Sequence, residues 1–211
     1  MKPFSKMNSQ NTALLMIDVI NSCTDEKCEI PEYNVHFSKI RKMIPKLNKF
    51  IGQYRKTINN NVIFGKTLPW QQEYLAKNIN ELYEDKYVSY YTRDRSGFAE
   101  EFYLLTPEPR DLVVDKASND ALSNPELVNE LKNRGIKYII TTGIFTDGCV
   151  LATVVGGFSL GFNFVILKDL VETTDSKTRQ KIQRLLLKYT YPYMFGRVVS
   201  SKELIKGWNA K

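Results

Sequence analysis

The sequence predicts an α/β fold: a doubly wound, mostly parallel six-stranded sheet with helices on both faces. Three observations predict it. Short apolar runs alternate with amphipathic stretches along most of the 211 residues. Several of these runs are apolar at successive positions, as strands covered on both faces require. Apolar residues at 43% and charged residues at 25% are ordinary globular usage, in a chain sized for one domain. That hydrophobicity excludes a mainly disordered chain, and 11 Gly, 8 Pro and no self-similar period exclude collagen-like and repeat architectures.

The elements follow in order. Ala13-Leu-Leu-Met-Ile-Asp18 reads as a buried strand ending in a carboxylate. A polar loop with Cys23, Cys28 and Pro31 comes next. Met43, Ile44, Leu47, Phe50, Ile51 and Tyr54 then recur at helical spacing. Pro45 fits the first turn of that helix, where a missing N–H costs least. Asn59-Asn-Asn61 ends it, and Val62-Ile-Phe64 opens the second strand. Residues 69–110 are aromatic-rich and punctuated by Pro69, Pro107 and Pro109. A short helix is expected over residues 73–83 and an irregular stretch around 90–102, and the whole 69–110 excursion is a candidate lid or interface.

Asp111-Leu-Val-Val-Asp-Lys116 is the third strand. Asn124 caps a helix with Pro125 in its first position, Leu127, Val128 and Leu131 as its stripe and Gly135 as its stop. The fourth strand covers 138–142, and a helix over 146–160 stops at Gly161. The fifth strand covers 162–167, a long helix 174–189 and the last strand 196–199. A helical turn begins at Ser201.

Charge and residue counts narrow the function. The net charge is +7, but the 30 basic residues are spread along the chain. The densest group, Lys177, Lys181, Arg184 and Lys188, lies on one helix face, with Ile182, Leu185, Leu186 and Tyr189 supplying the other. That is a solvated amphipathic helix, and no nucleic-acid partner is implied. No run approaches the ~18 apolar residues of a membrane span. The polar first eleven residues lack a signal-type apolar segment, so a cytoplasmic protein is expected. Three Cys cannot form a disulfide framework, and one His with three scattered Cys argues against a metal site. Cys23 and Cys28 read as loop thiols in a reducing compartment rather than a redox pair. His36 reads as a helix-surface residue.

In a parallel sheet the ligand sits beyond the carboxyl ends of the strands. Three reactive side chains fall there: Asp18 after the first strand, Lys116 after the third and Cys149 just past the fourth. A thiol becomes a nucleophile as its thiolate, and a helix N-terminus beside a cation lowers its pKa. Lys116 supplies that cation, and Asp18 accepts the thiol proton and later protonates a leaving amine. Backbone N–H groups of the 144–149 turn suit an oxyanion hole.

These segments resemble the isochorismatase-like cysteine hydrolases, which include nicotinamidases and carbamoyl-amide hydrolases. Ala13-Leu-Leu-Met-Ile-Asp18 is similar to that family's first strand with its catalytic Asp. Val113-Val-Asp-Lys116 and Asn124-Pro-Glu-Leu127 resemble its Lys segment. Thr142-Gly-Ile-Phe-Thr-Asp-Gly-Cys-Val150 resembles its nucleophile signature. Met194-Phe-Gly-Arg-Val-Val-Ser-Ser-Lys-Glu-Leu204 resembles its closing strand and helix. The resemblance implies a three-layer Rossmann-type fold, an Asp18–Lys116–Cys149 catalytic triad and a cis peptide at Ile144–Phe145. It also implies an oxyanion hole from the Phe145 and Cys149 amides, and a homodimer or tetramer.

The departures are informative. Nicotinamidases hold a metal with an Asp and two His after the second strand. Phe64-Gly-Lys-Thr-Leu-Pro-Trp70 contains neither, so no metal or other cofactor is expected. Many members carry Gln two residues after the first Asp. Here that position is Ile20, with Asn21 beside it. Members that cleave isochorismate lack the Cys, so Cys149 points to an amide, ureido or carbamoyl group and a thioester intermediate. The alternative is a catalytically silent binding or regulatory member of the same fold. Trp70 and Phe145, with Tyr91 or Phe98, are the expected substrate-pocket wall, and Arg93 and Arg95 are candidates for a substrate carboxylate.

Overall fold

The computed structural model describes residues 4–31, 35–84 and 95–210. Its strands are β1 (Thr12–Ile17), β2 (Val62–Thr67), β3 (Leu112–Lys116), β4 (Tyr138–Ile144), β5 (Asn163–Glu172) and β6 (Gly196–Val199). They form one sheet in the order β3-β2-β1-β4-β5-β6, and every pairing is parallel. The chain winds outward from β1 to β3, returns to the centre at β4 and winds the other way to β6. The reversal lies between β1 and β4, which sets the ligand-binding crevice of such a sheet.

The helices are α1 (Ser38–Thr57), α2 (Lys77–Glu84), α3 (Pro125–Asn133), α4 (Cys149–Ser159), α5 (Lys177–Leu185) and α6 (Ser201–Asn209). One core packs α1 and α6 side chains such as Leu47, Phe50 and Leu204 with Leu14 and Met16 of β1. The other packs α3 and α4 side chains such as Leu131 and Val154, with Leu186 just beyond α5, against Ala13, Leu15 and Ile17. Successive β1 residues thus enter opposite cores, which is why the run is apolar without alternation. The expected Asn124 cap is present, accepting from the Glu126 and Leu127 N–H groups. Among the described residues no helix is long and apolar enough to cross a membrane.

Two close approaches need glycine. Gly143, the last but one residue of β4, has φ +105°, and a Cβ there would lie 2.2 Å from the Ile17 carbonyl oxygen. In α4, a Cβ on Gly156 would lie 2.1 Å from Asp120 Oδ2. Both let the α4 unit settle against its neighbours.

Several boundaries differ from expectation. Helix α1 begins at Ser38, so Pro45 lies inside it rather than in its first turn. The early start depends on Asp175, whose carboxylate accepts from the Ser38 N–H, the Ser38 hydroxyl and the Lys39 N–H. Helix α2 begins at Lys77, because Gln71 and Tyr74 close tight turns onto Pro69 and Gln71. Of the excursion at 90–102, residues 90–94 lie outside the described residues. The remainder turns at Gly97 (φ +84°) into a single 3-10 turn, Phe98–Glu100.

Helix α5 stops at Leu185 and continues as a π-helical segment, Leu186–Phe195. Its orientation also reverses the expected one. Gln180 and Gln183 are buried with Leu186, whereas Ile182, Leu185 and Tyr189 are 42%, 49% and 49% exposed. The cause is polar: both Gln amides donate to Glu172 Oε1 at the end of β5, at 2.9 and 2.7 Å.

The cap on α1 is testable. Asp175→Ala removes three hydrogen bonds and a favourable helix-dipole contact, and should cost about 1–3 kcal/mol. Urea denaturation should show a lower midpoint with an unchanged slope.

Candidate active site

The carboxyl edge of the sheet gathers the three reactive residues. Asp18 follows β1 directly, with φ 52°, a left-handed conformation that Asp tolerates better than most residues. Lys116 is the last residue of β3. Cys149 is the first residue of α4. Lys116 Nζ lies 2.8 Å from Asp18 Oδ2 and 3.4 Å from Cys149 Sγ, and it also donates to the Ser118 carbonyl at 3.0 Å. The Asp18–Lys116 pair is almost fully buried, at 3% and 1% side-chain exposure. The second Asp18 oxygen, Oδ1, is buried with no partner.

Charge in this cluster is distributed differently from expectation. The sequence predicts a Cys149 thiol acidified by Lys116 and the helix N-terminus. Instead, burial and then the facing Asp18 carboxylate push the thiol well above its ordinary range, and Lys116 offsets only part of this. Burial works against the Lys116 charge too, but Asp18 and then Cys149 outweigh it and hold Lys116 protonated. Both shifts favour a protonated Lys116 beside a neutral Cys149 thiol.

The turn before Cys149 is held on every side. The Ile144–Phe145 peptide is cis. The Phe145 carbonyl accepts from the Gly148 and Val150 N–H groups, which delays the start of α4 to Cys149. Thr146 donates its N–H to the Glu172 carbonyl and accepts from the Tyr191 hydroxyl at 2.6 Å. Asp147 accepts from Thr173 Oγ1 and takes two bonds from Arg179, at 2.8 and 2.7 Å. Among the described residues the N–H groups of Phe145 and Cys149 have no acceptor.

The expected pocket wall is only partly assembled by these contacts. Phe145 stacks on Phe37 at 6.1 Å, and the Arg179 guanidinium lies 4.6 Å from its ring centre. Trp70 packs edge-on against Tyr83 at 5.8 Å, and its indole N–H is buried with no acceptor among the described residues. Phe98 carries Lys27 over its ring at 5.5 Å. Arg95 is paired with Glu73 at 2.9 Å on the surface. Tyr91 and Arg93 lie outside the described residues. Asn21 does not replace the missing pocket amide, since its side chain donates to the Phe98 carbonyl at 2.8 Å. Ile20 pairs with Phe102 in an antiparallel bridge, so residues 98–102 lie against the loop that follows Asp18.

Sequence reasoning missed several contributors. Asn119 places Oδ1 3.8 Å from Cys149 Sγ, and its place three residues after Lys116 was the available signal. Asp147 stands inside the nucleophile motif, but its partner Arg179 is distant in sequence. Cys23 sits in a 3-10 turn, Asn21–Cys23, and packs against the core. Burial and then Asp18 push its thiol up to about 12, so it shares the site's electrostatic environment. His36 precedes α1 rather than riding on it, and pairs with Glu29 at 2.8 Å. Burial opposes the Glu29 charge, but His36, the Phe37 N–H and Arg41 hold the carboxyl at about 2. Among the described residues no group of three or more His, Cys, Asp and Glu side chains could hold a metal ion.

Comparison with known proteins places this geometry. The family model described as the isochorismatase domain matches residues 12–203. Ureidoacrylate amidohydrolase RutB of Enterobacter sp. (strain 638) is 38% identical over 77 residues, covering 36% of this chain and 34% of RutB. The chain thus matches about a third of that relative's length. An isochorismatase family protein from Burkholderia thailandensis superposes with a TM-score of 0.77 at 23% identity, covering 96% of this chain and 97% of that one. A cysteine hydrolase from Pseudomonas syringae pv. phaseolicola 1448A gives 0.72 at 20% identity, covering 97% and 95%. The N-carbamoylsarcosine amidase of Thermoplasma acidophilum gives 0.63 at 16% identity, covering 90% and 96%.

The electrostatics predict a measurable sign. Replacing Asp18 with Asn removes a negative charge facing the thiol and leaves Lys116 in place. The Cys149 pKa should fall by about one unit or more. Site-resolved alkylation rates across pH should show the Cys149 inflection moving to lower pH in Asp18→Asn and to higher pH in Lys116→Met.

Proposed function

The chain belongs to the isochorismatase family of hydrolases, and from that premise we propose that it cleaves a small amide, ureido or carbamoyl compound through a Cys149 thioester. One observation carries the reading: Lys116 Nζ bridges Asp18 Oδ2 and Cys149 Sγ at the first residue of α4. Three unlike reactive groups from three strand ends meet in a buried cluster, where structural needs alone would favour apolar side chains. Support for an amide as substrate comes from the names of RutB and of the carbamoylsarcosine amidase, which both act on C–N bonds.

The steps follow from the charges. The substrate carbonyl enters beside Cys149. Asp18, with Oδ1 unpartnered, takes the thiol proton as Sγ bonds to the carbonyl carbon. Lys116 stays protonated and steadies the developing thiolate and the carboxylate in turn. The Phe145 and Cys149 N–H groups donate to the oxyanion. Asp18 then gives its proton to the leaving nitrogen, the C–N bond breaks, and ammonia or an amine departs. Water enters, and Asp18 takes its proton as the hydroxide attacks the thioester. The S–C bond breaks, and Sγ recovers the proton from Asp18.

Phe145, braced by Phe37 and Arg179, suits one wall of the acyl pocket, and a flat or apolar group beside the carbonyl would pack on it. Trp70 is proposed as a more distant wall behind α2. A panel of small amides and ureido acids, with ammonia detection, tests the proposal. Turnover of at least one member is expected, and Cys149→Ala should lower kcat by about a thousandfold or more. A covalent adduct at Cys149 should be trapped by mass spectrometry after rapid acid quench. Turnover that survives Cys149→Ala defeats the covalent route. A folded protein inactive on the whole panel favours a binding role.

A further inference from the structure

Asn119 occupies the loop between β3 and the Ala121–Ser123 turn, and its Oδ1 accepts from the Cys149 thiol at 3.8 Å. The residue is exposed and Cys149 is half-buried, whereas the Lys116 and Asp18 side chains are at most 3% exposed. A carbonyl compound that reaches Sγ from solvent therefore comes within reach of this amide. Asparagine commonly enters a loop because its side-chain carbonyl accepts a backbone N–H two residues on. Here the neighbours fill that role. Ser118 Oγ accepts from the Asp120 N–H at 3.3 Å and bonds Ser123 Oγ at 2.7 Å, and Asp120 Oδ1 accepts from the Leu122 N–H at 2.7 Å. The loop is anchored on both sides of Asn119. The Ser118 carbonyl takes Lys116 Nζ at 3.0 Å, and the Ala121 N–H donates to Thr153 Oγ1 in α4 at 3.0 Å. The Asn119 amide is thus held in place by bonds of its neighbours and uses none of its own on the fold. Among the described residues its Oδ1 meets Sγ alone and its Nδ2 has no acceptor.

The distances suit an acceptor for a leaving nitrogen. In a complex poised for attack, the carbonyl carbon lies about 3–3.5 Å from the nucleophile. The nitrogen is one bond away from that carbon. With Oδ1 3.8 Å from Sγ, an N–H···O bond of about 2.9 Å closes the triangle of sulfur, nitrogen and oxygen. An asparagine carbonyl accepts a hydrogen bond without taking up the proton, so it orients the nitrogen and leaves Asp18 as the base.

We propose that Asn119 is a specificity residue: its Oδ1 accepts an N–H of the substrate's leaving nitrogen, which selects primary and secondary amides over tertiary amides and esters. This deepens the amide reading of the Cys149 site and rests on it. The same oxygen cannot serve the thiol and the substrate at once. An arriving N–H therefore displaces the S–H bond from Asn119 and leaves Asp18 as the acceptor for the thiol proton. A substrate that carries the N–H is seated and, in the same event, turns the thiol toward its base. An ester has no N–H to give. It leaves the S–H on Asn119 and sets the ester oxygen against a second acceptor. A site that hydrogen-bonds a substrate N–H discriminates against the analogue without it far more strongly than an apolar wall such as Phe145 does against a change of shape.

Two uncharged reagents of similar size test the contact without turnover. Iodoacetamide carries an N–H and methyl iodoacetate does not. Their rates of alkylation at Cys149, resolved by peptide mass spectrometry, give a ratio that cancels any change in thiolate fraction. Relative to the same ratio on glutathione, the full chain should favour iodoacetamide about fivefold or more. Asn119→Leu should return the ratio to the glutathione value, and Asn119→Ala serves as a second variant without the acceptor. Asn119→Asp keeps an acceptor and should keep the preference. On any amide of the panel that turns over, Asn119→Leu should lower kcat/KM relative to that for the ethyl ester of the same acid by about tenfold. A full chain with the glutathione ratio overturns the proposal, and so does a folded Asn119→Leu or Asn119→Ala that keeps the preference. If no amide turns over, the hydrolysis reading fails, while the reagent ratio still decides whether Asn119 reads an N–H beside Sγ.

Discussion

The ion pair between Lys116 and Asp18 governs the architecture of the reactive edge. Two opposite charges are almost fully withdrawn from water, which costs several kcal/mol per ion before their attraction is counted. The attraction compensates only if the two strand ends are held in register. Strand β2 does this, pairing with β1 on one side and β3 on the other. The Leu68 N–H, just beyond β2, donates to the Lys116 carbonyl and fixes the backbone from which the ammonium extends. Removing either charge would leave the other buried and unpaired, so the pair acts as a unit.

Cys149 is positioned from the opposite half of the sheet. Cys149 cannot move without the 145–148 turn, and that turn is tied to the far end of β5 through Glu172 and Thr173. It is tied to α5 through Arg179 and to the π-helical segment through Tyr191. Glu172 does double duty. Its carbonyl holds Thr146, while its carboxylate gathers Gln180, Gln183 and the Thr173 N–H. The same residue thus positions the 145–148 turn and sets which face of α5 meets solvent.

What could be read directly from the sequence was local. The β1 run, the Asn124–Pro125 helix start and the glycine stops at 135 and 161 each carry their signal within a few residues. The meeting of Asp18, Lys116 and Cys149 was legible because parallel topology sends the three strand ends to one edge. Features set by distant partners were not. The start of α1 depends on Asp175, 137 residues away from Ser38. The orientation of α5 depends on Glu172, and an apolar stripe read by period alone pointed the wrong way. The sign of the thiol shift was misread for a similar reason. Helix N-terminus and lysine are visible in sequence, whereas the depth of burial and the direction of the Asp18 carboxylate are not.

The neutral resting thiol has a consequence for how such a protein ages. Hydrogen peroxide and other electrophiles attack thiolates, and each uncorrected oxidation beyond the sulfenic acid is permanent. A hydrolase that kept its cysteine ionised between turnovers would be exposed to that damage continuously, in proportion to its idle time. Here burial and the facing Asp18 carboxylate both favour the protonated sulfur. A thiol held in this way is shielded from such damage for as long as it stays protonated.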